Sequence, residues 1–172
     1  MGASQVVSIT LLLATLAAST AALALPDDRH QAIEIQSRSA IREEKKGLTV
    51  YEGNVTIRQG SMLIQADRVS VHTTGNQVSK IVCLGKPALY QQQPKPGDKP
   101  VTAKGNTIEY QLDNDVIHLI GSASLDQAGS TLTGERIDYD LKEEVIKARG
   151  DSSGDQRIRM VIPPSQQKEA IE

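Results

Sequence analysis

Two segments of this 172-residue chain, 53–72 and 121–140, share one sequence pattern without a gap. The first is GNVTIRQGSMLIQADRVSVH and the second is GSASLDQAGSTLTGERIDYD, so each residue lies 68 positions from its counterpart. Gly53, Gln59 and Arg68 have identical counterparts in the second segment. At most of the alternating apolar positions of the first segment, the second segment also has an apolar residue. A fixed internal period is typical of architectures in which stacked units bury a shared apolar face. We therefore expect similar strand pairs stacked on one another.

The first 25 residues have the composition of an export signal. Residues 6–25 are apolar or small and uncharged, and Ala22-Leu23-Ala24 matches the small-x-small cleavage pattern. No Lys or Arg precedes this run, so the usual positive segment is absent. An uncleaved membrane anchor is the alternative, since about 20 apolar residues can span a bilayer. The cleavage pattern favours a signal peptide at 1–24, one domain at 25–165 and a flexible tail at 166–172.

The composition argues against several functional classes. A formal net charge of −2 provides no basic face for nucleic acid. The single cysteine, Cys83, has no partner for an intramolecular disulfide, and its place in an alternating segment predicts a packing residue. His30, His72 and His118 are dispersed without metal-ligand spacing, and no phosphate loop or nucleophile elbow is present. We expect no catalytic residues, no metal, no cofactor and no enzymatic activity.

Apolar residues alternate with polar ones around Gly53, Gly85, Gly121 and Gly150. Residues at even spacing in a strand share one face, so each segment has one apolar and one polar face. The positions predicted to face inward, two and four residues from these glycines, are Thr49, Tyr51, Val55, Ile57, Ile81, Cys83, Pro87, Leu89, Ile117, Leu119, Ala123, Leu125, Ile146 and Ala148.

A second type of strand changes face in its middle. Ile64 and Ala66 share one parity and Val69 the other, so a one-residue slip falls across Asp67-Arg68. The same slip recurs across residues 135–136, which is typical of a β-bulge or a corner. Residues 91–100 contain three prolines and are predicted to form a surface loop. These patterns predict an all-β fold, an antiparallel β-roll with its apolar face inward.

The predicted interior lacks large side chains. The chain has no Phe, no Trp and four Tyr, so the inward set consists mostly of aliphatic residues and glycine. Such an interior either leaves room for an apolar ligand or closes into a narrow roll filled by its own side chains. Composition alone does not decide between these alternatives.

Four stretches of the chain carry a resemblance to a known family. TVYEGNVTIRQGSMLIQADRV, LGKPALYQ, GNTIEYQLDNDVIHLIGSASL and RIRMVIPPSQ, in this order, closely resemble the LptA (OstA-like) family of periplasmic lipopolysaccharide transport proteins. The similarity extends from about Ile33 to Gln166. It implies a twisted, slightly open β-jellyroll that binds lipopolysaccharide acyl chains in an apolar groove. It also implies a location in the periplasm and a bridge that carries the lipid from the inner to the outer membrane.

The lipid-binding prediction combines parity with this resemblance. Parity indicates Tyr51, Val55, Ile57, Ile81, Leu119 and Leu125, whereas the resemblance adds Ile33, Ile35, Tyr110 and Leu112. Strict alternation from Gly85 points Leu89 inward, but the resemblance favours Tyr90, and a register shift at Pro87 would reconcile the two. Arg68 and Arg136 are equivalent in the repeat and follow acids. They are predicted to form solvated surface pairs, with contact to lipid phosphates as the alternative.

The two ends of the predicted roll expose unpaired edges, which invite strand addition from another chain. The N-terminal edge contains Ile33 and Ile35, and the C-terminal edge contains Ile158, Met160 and Ile162. The resemblance implies an LptC-type inner-membrane partner at the first edge, an LptD-type outer-membrane partner at the second, and head-to-tail self-association. The alternatives are an LptC-like anchored subunit, a ligand-free β-repeat scaffold and, least favoured, a carbohydrate-active β-solenoid enzyme.

Overall fold

In a computed structural model of the chain, the structure describes residue 28 and residues 31–75, 77–93, 97–143, 145–151, 153 and 157–164. Within these residues ten strands form one antiparallel sheet. The strands are β1 (Glu34–Gln36), β2 (Ser39–Glu43), β3 (Leu48–Gln59), β4 (Met62–Thr74), β5 (Gln77–Gln92), β6 (Val101–Gln111), β7 (Val116–Gln127), β8 (Ser130–Asp140), β9 (Val145–Arg149) and β10 (Arg159–Val161). The 3₁₀ turn Glu44–Lys46 joins β2 to β3.

The sheet is a meander with two divided edges. Strands β3 to β8 pair with their neighbours in sequence, and the full order is β1-β3-β4-β5-β6-β7-β8-β10. Strand β2 also pairs with β3, and β9 also pairs with β8, so two short strands form each edge. In the described part of the chain no pairing joins the first edge to the last. The roll is therefore open along one side, which confirms the predicted fold class.

The repeated segments form two equivalent hairpins, β3–β4 and β7–β8. In each hairpin two residues oppose one, namely Gly53-Asn54 opposite Asp67 and Gly121-Ser122 opposite Glu135. The φ angles of the two bulges nearly coincide, at 85° and 51° in the first and 75° and 51° in the second. The predicted change of face in β4 and β8 is present, but the extra residue lies in the glycine strand. The predicted position of the extra residue, in β4 and β8, is wrong. A change of parity shows that a bulge is present but not which of the two paired strands contains the additional residue.

Strand β5 changes face at its own corner. Its register shifts between Leu84 and Ala88 in the pairing with β6 and between Leu84 and Leu89 in the pairing with β4, across a cis Lys86–Pro87 peptide bond. Cys83 and Ala88, which differ in parity, are both buried at 1% and 0% exposure. The strict alternation predicted beyond Gly85 is wrong for this reason. The residues of β5 that follow the corner face the opposite way from that prediction.

The buried core draws side chains from all six long strands, β3–β8. Its largest fully buried side chains are Leu119, Ile137, Val55, Val69 and Cys83. Small side chains fill the bend itself, where Ala66, Ala88, Ala103 and Ala123 are buried. Each fully buried Val, Leu or Ile contributes about 1.5–3 kcal/mol, so this packing holds the long strands together.

An ionic cluster joins three strands on the outer face of the sheet. Asp138 Oδ1 lies 2.6 Å from His118 Nδ1 and accepts a 2.8 Å hydrogen bond from Arg136 Nε, while Arg149 Nη2 donates to Oδ2 at 2.8 Å. Partial burial by itself raises the pKa of Asp138. The hydrogen bonds from His118 and Arg149 and the charge of Arg136 outweigh that effect, so the net pKa lies below its ordinary value of 3.8. The carboxylate thus ties β7, β8 and β9 together.

We expect Asp138→Asn to lower the free energy of unfolding by about 1–2 kcal/mol at neutral pH, since the arginine partners are partly exposed. Because the folded pKa is depressed, the contribution of Asp138 is fully present above pH 3.8 and is lost as the pH falls through the folded pKa. Urea unfolding at several pH values measures both effects. Asp113→Asn, in an exposed turn, is the matched control and should be neutral. An equal loss at neutral and strongly acidic pH would contradict the ionic role of Asp138.

Several predictions fall outside the described residues. These are the signal peptide at 1–24, the tail at 166–172 and His30. Residues 93–100 of the segment predicted as a surface loop separate β5 from β6, whereas residues 91 and 92 still belong to β5, and residues 94–96 are likewise not described. No helix in the described ranges has the length and hydrophobicity needed to cross a bilayer.

Candidate functional site: an apolar cavity in the open roll

A cavity of about 1350 Å³ lies inside the roll. It exceeds the roughly 300–1000 Å³ that is usual for small-molecule pockets. Strand β3 contributes Leu48, Thr49 and Tyr51 before its bulge and Ile57 and Gln59 after it, and the strand between these limits corresponds to roughly 35 Å of extended chain. The cavity is therefore large and long, and its shape suits extended apolar chains better than a compact ligand.

The antiparallel order gives the cavity two distinct ends. The turns that follow β3 and β5 lie at one end, which we call the Asp28 end after Asp28, Gln59, Met62 and Gln92 of the cavity lining. The turns before β3 and after β4 and β6 lie at the other, which we call the Lys45 end after Lys45, Gly47, Thr74 and Leu112.

Eight of the twelve residues predicted to bind lipid line this cavity. They are Ile33, Ile35, Tyr51, Ile57, Ile81, Tyr90, Tyr110 and Leu112. Val55, Leu119 and Leu125 do not line it but belong to the buried core, with exposures of 1%, 1% and 4%. The twelfth, Leu89, borders a separate and smaller depression that also includes Pro87. Parity therefore identified the inner face, but it could not separate the part that is packed from the part that is hollow.

The corner of β5 determines whether Leu89 or Tyr90 faces the cavity. After the register shift, Tyr90 follows buried Ala88 at even spacing and enters the cavity lining. Leu89 takes the opposite face. The Tyr90 hydroxyl is hydrogen bonded to the side-chain oxygen of Gln92, which also lines the cavity. Tyr90 thus presents its ring to the interior while its polar atom is satisfied.

Several lining residues were missing from the predicted site. Leu48, Met62, Ile64, Val71, Val78, Cys83, Ile108, Ile117 and Leu141 all contact the cavity. Ile64, Val71, Cys83 and Ile117 belong to the alternating pattern of the sequence, but that pattern assigns a role only to Cys83, as a packing residue. Met62 and Val78 begin their strands beside turns, where alternation gives a weak signal. Burial raises the pKa of the Cys83 thiol to about 12, which fits a packing role better than a nucleophilic one.

The Asp28 end carries a specific polar network. Asp28 Oδ1 accepts a 2.8 Å hydrogen bond from the Ser61 amide, and Oδ2 accepts from the Ser61 hydroxyl at 2.6 Å. Gln92 Nε2 donates to Oδ2 at 3.0 Å. The hydrogen bond from the Ser61 hydroxyl, and to a smaller extent the one from the Ser61 amide, holds the pKa of Asp28 below its ordinary value. This end of the cavity therefore carries a negative charge at neutral pH.

The Lys45 end has both a buried polar pair and a charged segment. The Tyr110 hydroxyl donates to Asp115 Oδ1 at 3.0 Å, and both residues line the cavity. Arg42, Glu44, Lys45 and Lys46 also line this end, and their side chains extend from the 3₁₀ turn and the end of β2. The wall between the two ends is mainly aliphatic.

The repeat-related arginines lie outside the cavity, on the outer surface. Arg68 Nη1 lies 3.1 Å from Glu52 Oε1, its cross-strand neighbour, and Arg136 binds Asp138 on the same face of β8. The predicted partners were the adjacent acids Asp67 and Glu135, but successive residues of a strand point to opposite faces. Among the described residues no group of three or more His, Cys, Asp or Glu is placed to hold a metal ion.

The two predicted edge strands are present and exposed. Ile33 is 59% exposed, and Met160 of β10 is also 59% exposed. Ile158 and Ile162 flank β10, with exposures of 49% and 46%. Ile35 pairs with Ile57 in β3 and lines the cavity, so the first edge combines a backbone that has no second strand partner among the described residues with part of the apolar interior.

These features define a class of protein, the open antiparallel β-roll that surrounds an apolar cavity. A family model fits the same chain closely. The chain belongs to the family described as LptA/(LptD N-terminal domain) LPS transport protein, whose model matches residues 34–145. This result confirms the resemblance found in the sequence.

Individual relatives agree with the family assignment. The chain is 41% identical over 119 residues to the lipopolysaccharide export system protein LptH of Pseudomonas aeruginosa, covering 68% of this chain and 67% of LptH. It is 36% identical over 164 residues to LptA of Haemophilus influenzae, covering 93% and 94% of the two chains. It also resembles the crystal structure of LptH, the LptA homologous periplasmic component of the lipopolysaccharide transport device of P. aeruginosa. The TM-score is 0.72 at 35% identity, with 81% of this chain and all of that chain covered.

Proposed function

We propose that the protein binds lipopolysaccharide with its acyl chains in the cavity and carries it across the periplasm, from the inner to the outer membrane. The observation that carries this proposal is the apolar cavity of about 1350 Å³ in an open roll. Acyl chains cross water at a cost of about 0.8 kcal/mol for each exposed methylene, so a continuous apolar interior removes most of the barrier. The open side of the roll lets the sugar headgroup remain in water.

The proposed role requires no chemical step. The described side chains provide an apolar wall and satisfied polar groups, and the family is one of transport proteins. We propose that the protein is not an enzyme and needs no metal or cofactor. Directed movement then depends on partners that supply energy.

The exposed edges support a proposal about assembly. We propose that the β1 edge accepts a strand from an LptC-type partner, that the β10 edge meets an LptD-type partner, and that copies of this chain also join head to tail. A head-to-tail contact leaves both outer edges free, so it generates open filaments and not closed rings. Stacked rolls would align their cavities into one continuous path.

Purified protein tests the binding step. We expect saturable binding of lipopolysaccharide and at least tenfold weaker binding of a phospholipid with two acyl chains, because the cavity can shield more than two chains. Absence of saturable lipopolysaccharide binding by the folded protein would overturn the proposed function. Light scattering against concentration tests the assembly, with Met160→Pro expected to reduce self-association because proline removes a backbone donor from the edge.

A further inference from the structure

The charged residues of the cavity lining are distributed unequally between its two ends. All three basic residues among the described lining residues, Arg42, Lys45 and Lys46, lie within one five-residue segment. The acidic lining residues are Glu44 and Asp115 at the same end and Asp28 at the opposite end, so three positive and two negative charges lie at one end and a single negative charge lies at the other. We call the three basic residues the basic rim. An anionic amphiphile inside the cavity therefore meets attraction at one end and repulsion at the other.

The basic rim also lies where the roll is open. Strand β2 pairs with β3 alone, and the 3₁₀ turn after it leads directly into β3. Chains held by the apolar wall must leave their headgroup at such an opening, since sugars and phosphates cannot enter an aliphatic interior without losing hydration. The rim thus occupies a position that a lipid headgroup has to pass or occupy.

The acids near the rim form only exposed pairs with it or are bound elsewhere, since Asp115 accepts the hydrogen bond of the Tyr110 hydroxyl. Arg42 Nε lies 3.5 Å from Glu44 Oε1 with both side chains more than 70% exposed, and Lys46 pairs with Glu43. Within the described residues Lys45 has no acidic partner at ion-pair distance. Exposed pairs of this kind contribute little, and a doubly charged phosphate forms stronger, charge-assisted hydrogen bonds. Exchange of a carboxylate for a phosphate is therefore favourable at this rim.

We propose that the basic rim binds the phosphate groups of the glycolipid whose acyl chains fill the cavity, and thereby fixes the direction in which the lipid lies. The phosphates sit at the Lys45 end, and the chains run along the aliphatic wall towards Asp28. This inference rests on the proposed function, since it names a contact made by the same ligand.

The test compares two glycolipids with equal acylation, a bisphosphorylated lipid A and its dephosphorylated form. We expect the wild-type protein to bind the phosphorylated form about tenfold more tightly at low salt, and this preference to shrink as salt screens the charges. The triple variant Arg42→Gln, Lys45→Gln and Lys46→Gln should lose the preference while it binds the dephosphorylated form normally. The control variant Arg58→Gln, Lys99→Gln and Lys104→Gln removes the same charge from exposed sites outside the cavity and should keep the preference.

The outcomes separate the two proposals. The proposal that the basic rim binds phosphate is overturned if the wild type binds both lipids equally, or if the rim variant keeps the full preference. Neither result contradicts lipopolysaccharide binding by the cavity. Failure of the wild type to bind either lipid overturns the proposed function itself. Inorganic phosphate tests the alternative source of the same chemistry. We expect it not to displace the lipid, and displacement would show a general anion site in place of a lipid headgroup site.

Discussion

Ile81→Asp is expected to weaken lipopolysaccharide binding by about 100-fold while the protein remains folded. Ile81 lies in the wall of the cavity and is only partly buried, so a carboxylate there stays hydrated in the free protein. Bound acyl chains would strip that hydration or be kept away from the wall, at a cost of several kcal/mol. Equilibrium binding of purified lipopolysaccharide measures the effect.

Leu84→Asp is the matched control for this substitution. Leu84 lies three residues further along the same strand, is 40% exposed and pairs on the outer face with Arg68. The Leu84→Asp variant should bind lipopolysaccharide with the affinity of the wild type. If Ile81→Asp also bound normally while remaining folded by circular dichroism, the cavity would not be the lipid site.

Leu119→Ala is expected to lower the free energy of unfolding by about 3 kcal/mol, because it removes most of a side chain that is only 1% exposed and leaves a void in the core. Urea unfolding measures this loss. The same variant should bind lipopolysaccharide with nearly unchanged affinity below its unfolding transition, since Leu119 does not line the cavity.

Leu84→Ala, at an exposed position, should cost less than 1 kcal/mol by the same measurement. Together with Ile81→Asp, the two core and surface variants separate stability from binding. A large loss of affinity in folded Leu119→Ala would show that core residues outside the cavity lining also take part in binding. That result would contradict the division between core and cavity.

The sequence predicted the inner face of the roll because alternation is a local property of each strand. The repeat predicted the two equivalent hairpins, and the changes of parity revealed the bend in β4 and β8. Strand β2 was not predicted. None of its residues is buried, and its one large apolar residue, Ile41, is 61% exposed. The segment therefore has no apolar face that would identify it as a strand in the sequence.

The cavity itself could not be derived from alternation. Val55 and Ile57 belong to the same strand and the same face, yet the first is core and the second also lines the cavity. The difference depends on how far the opposite wall lies, which is a property of the whole bent sheet. The corner at Pro87 is similar, because a proline shows where a register shift is allowed but not whether it occurs. Asp28 was also outside prediction, since its partners Ser61 and Gln92 are distant in sequence.

Photo-crosslinking in cells tests the central claim most directly, that lipopolysaccharide occupies the cavity. A photoreactive amino acid replaces Tyr110, which lines the cavity, or its neighbour Glu109, which lies on the outer face opposite His118. We predict lipopolysaccharide adducts at position 110 and none at position 109. Adducts at position 109 without any at position 110, or silence at positions 110, 51 and 81 in a folded and exported protein, would contradict the account.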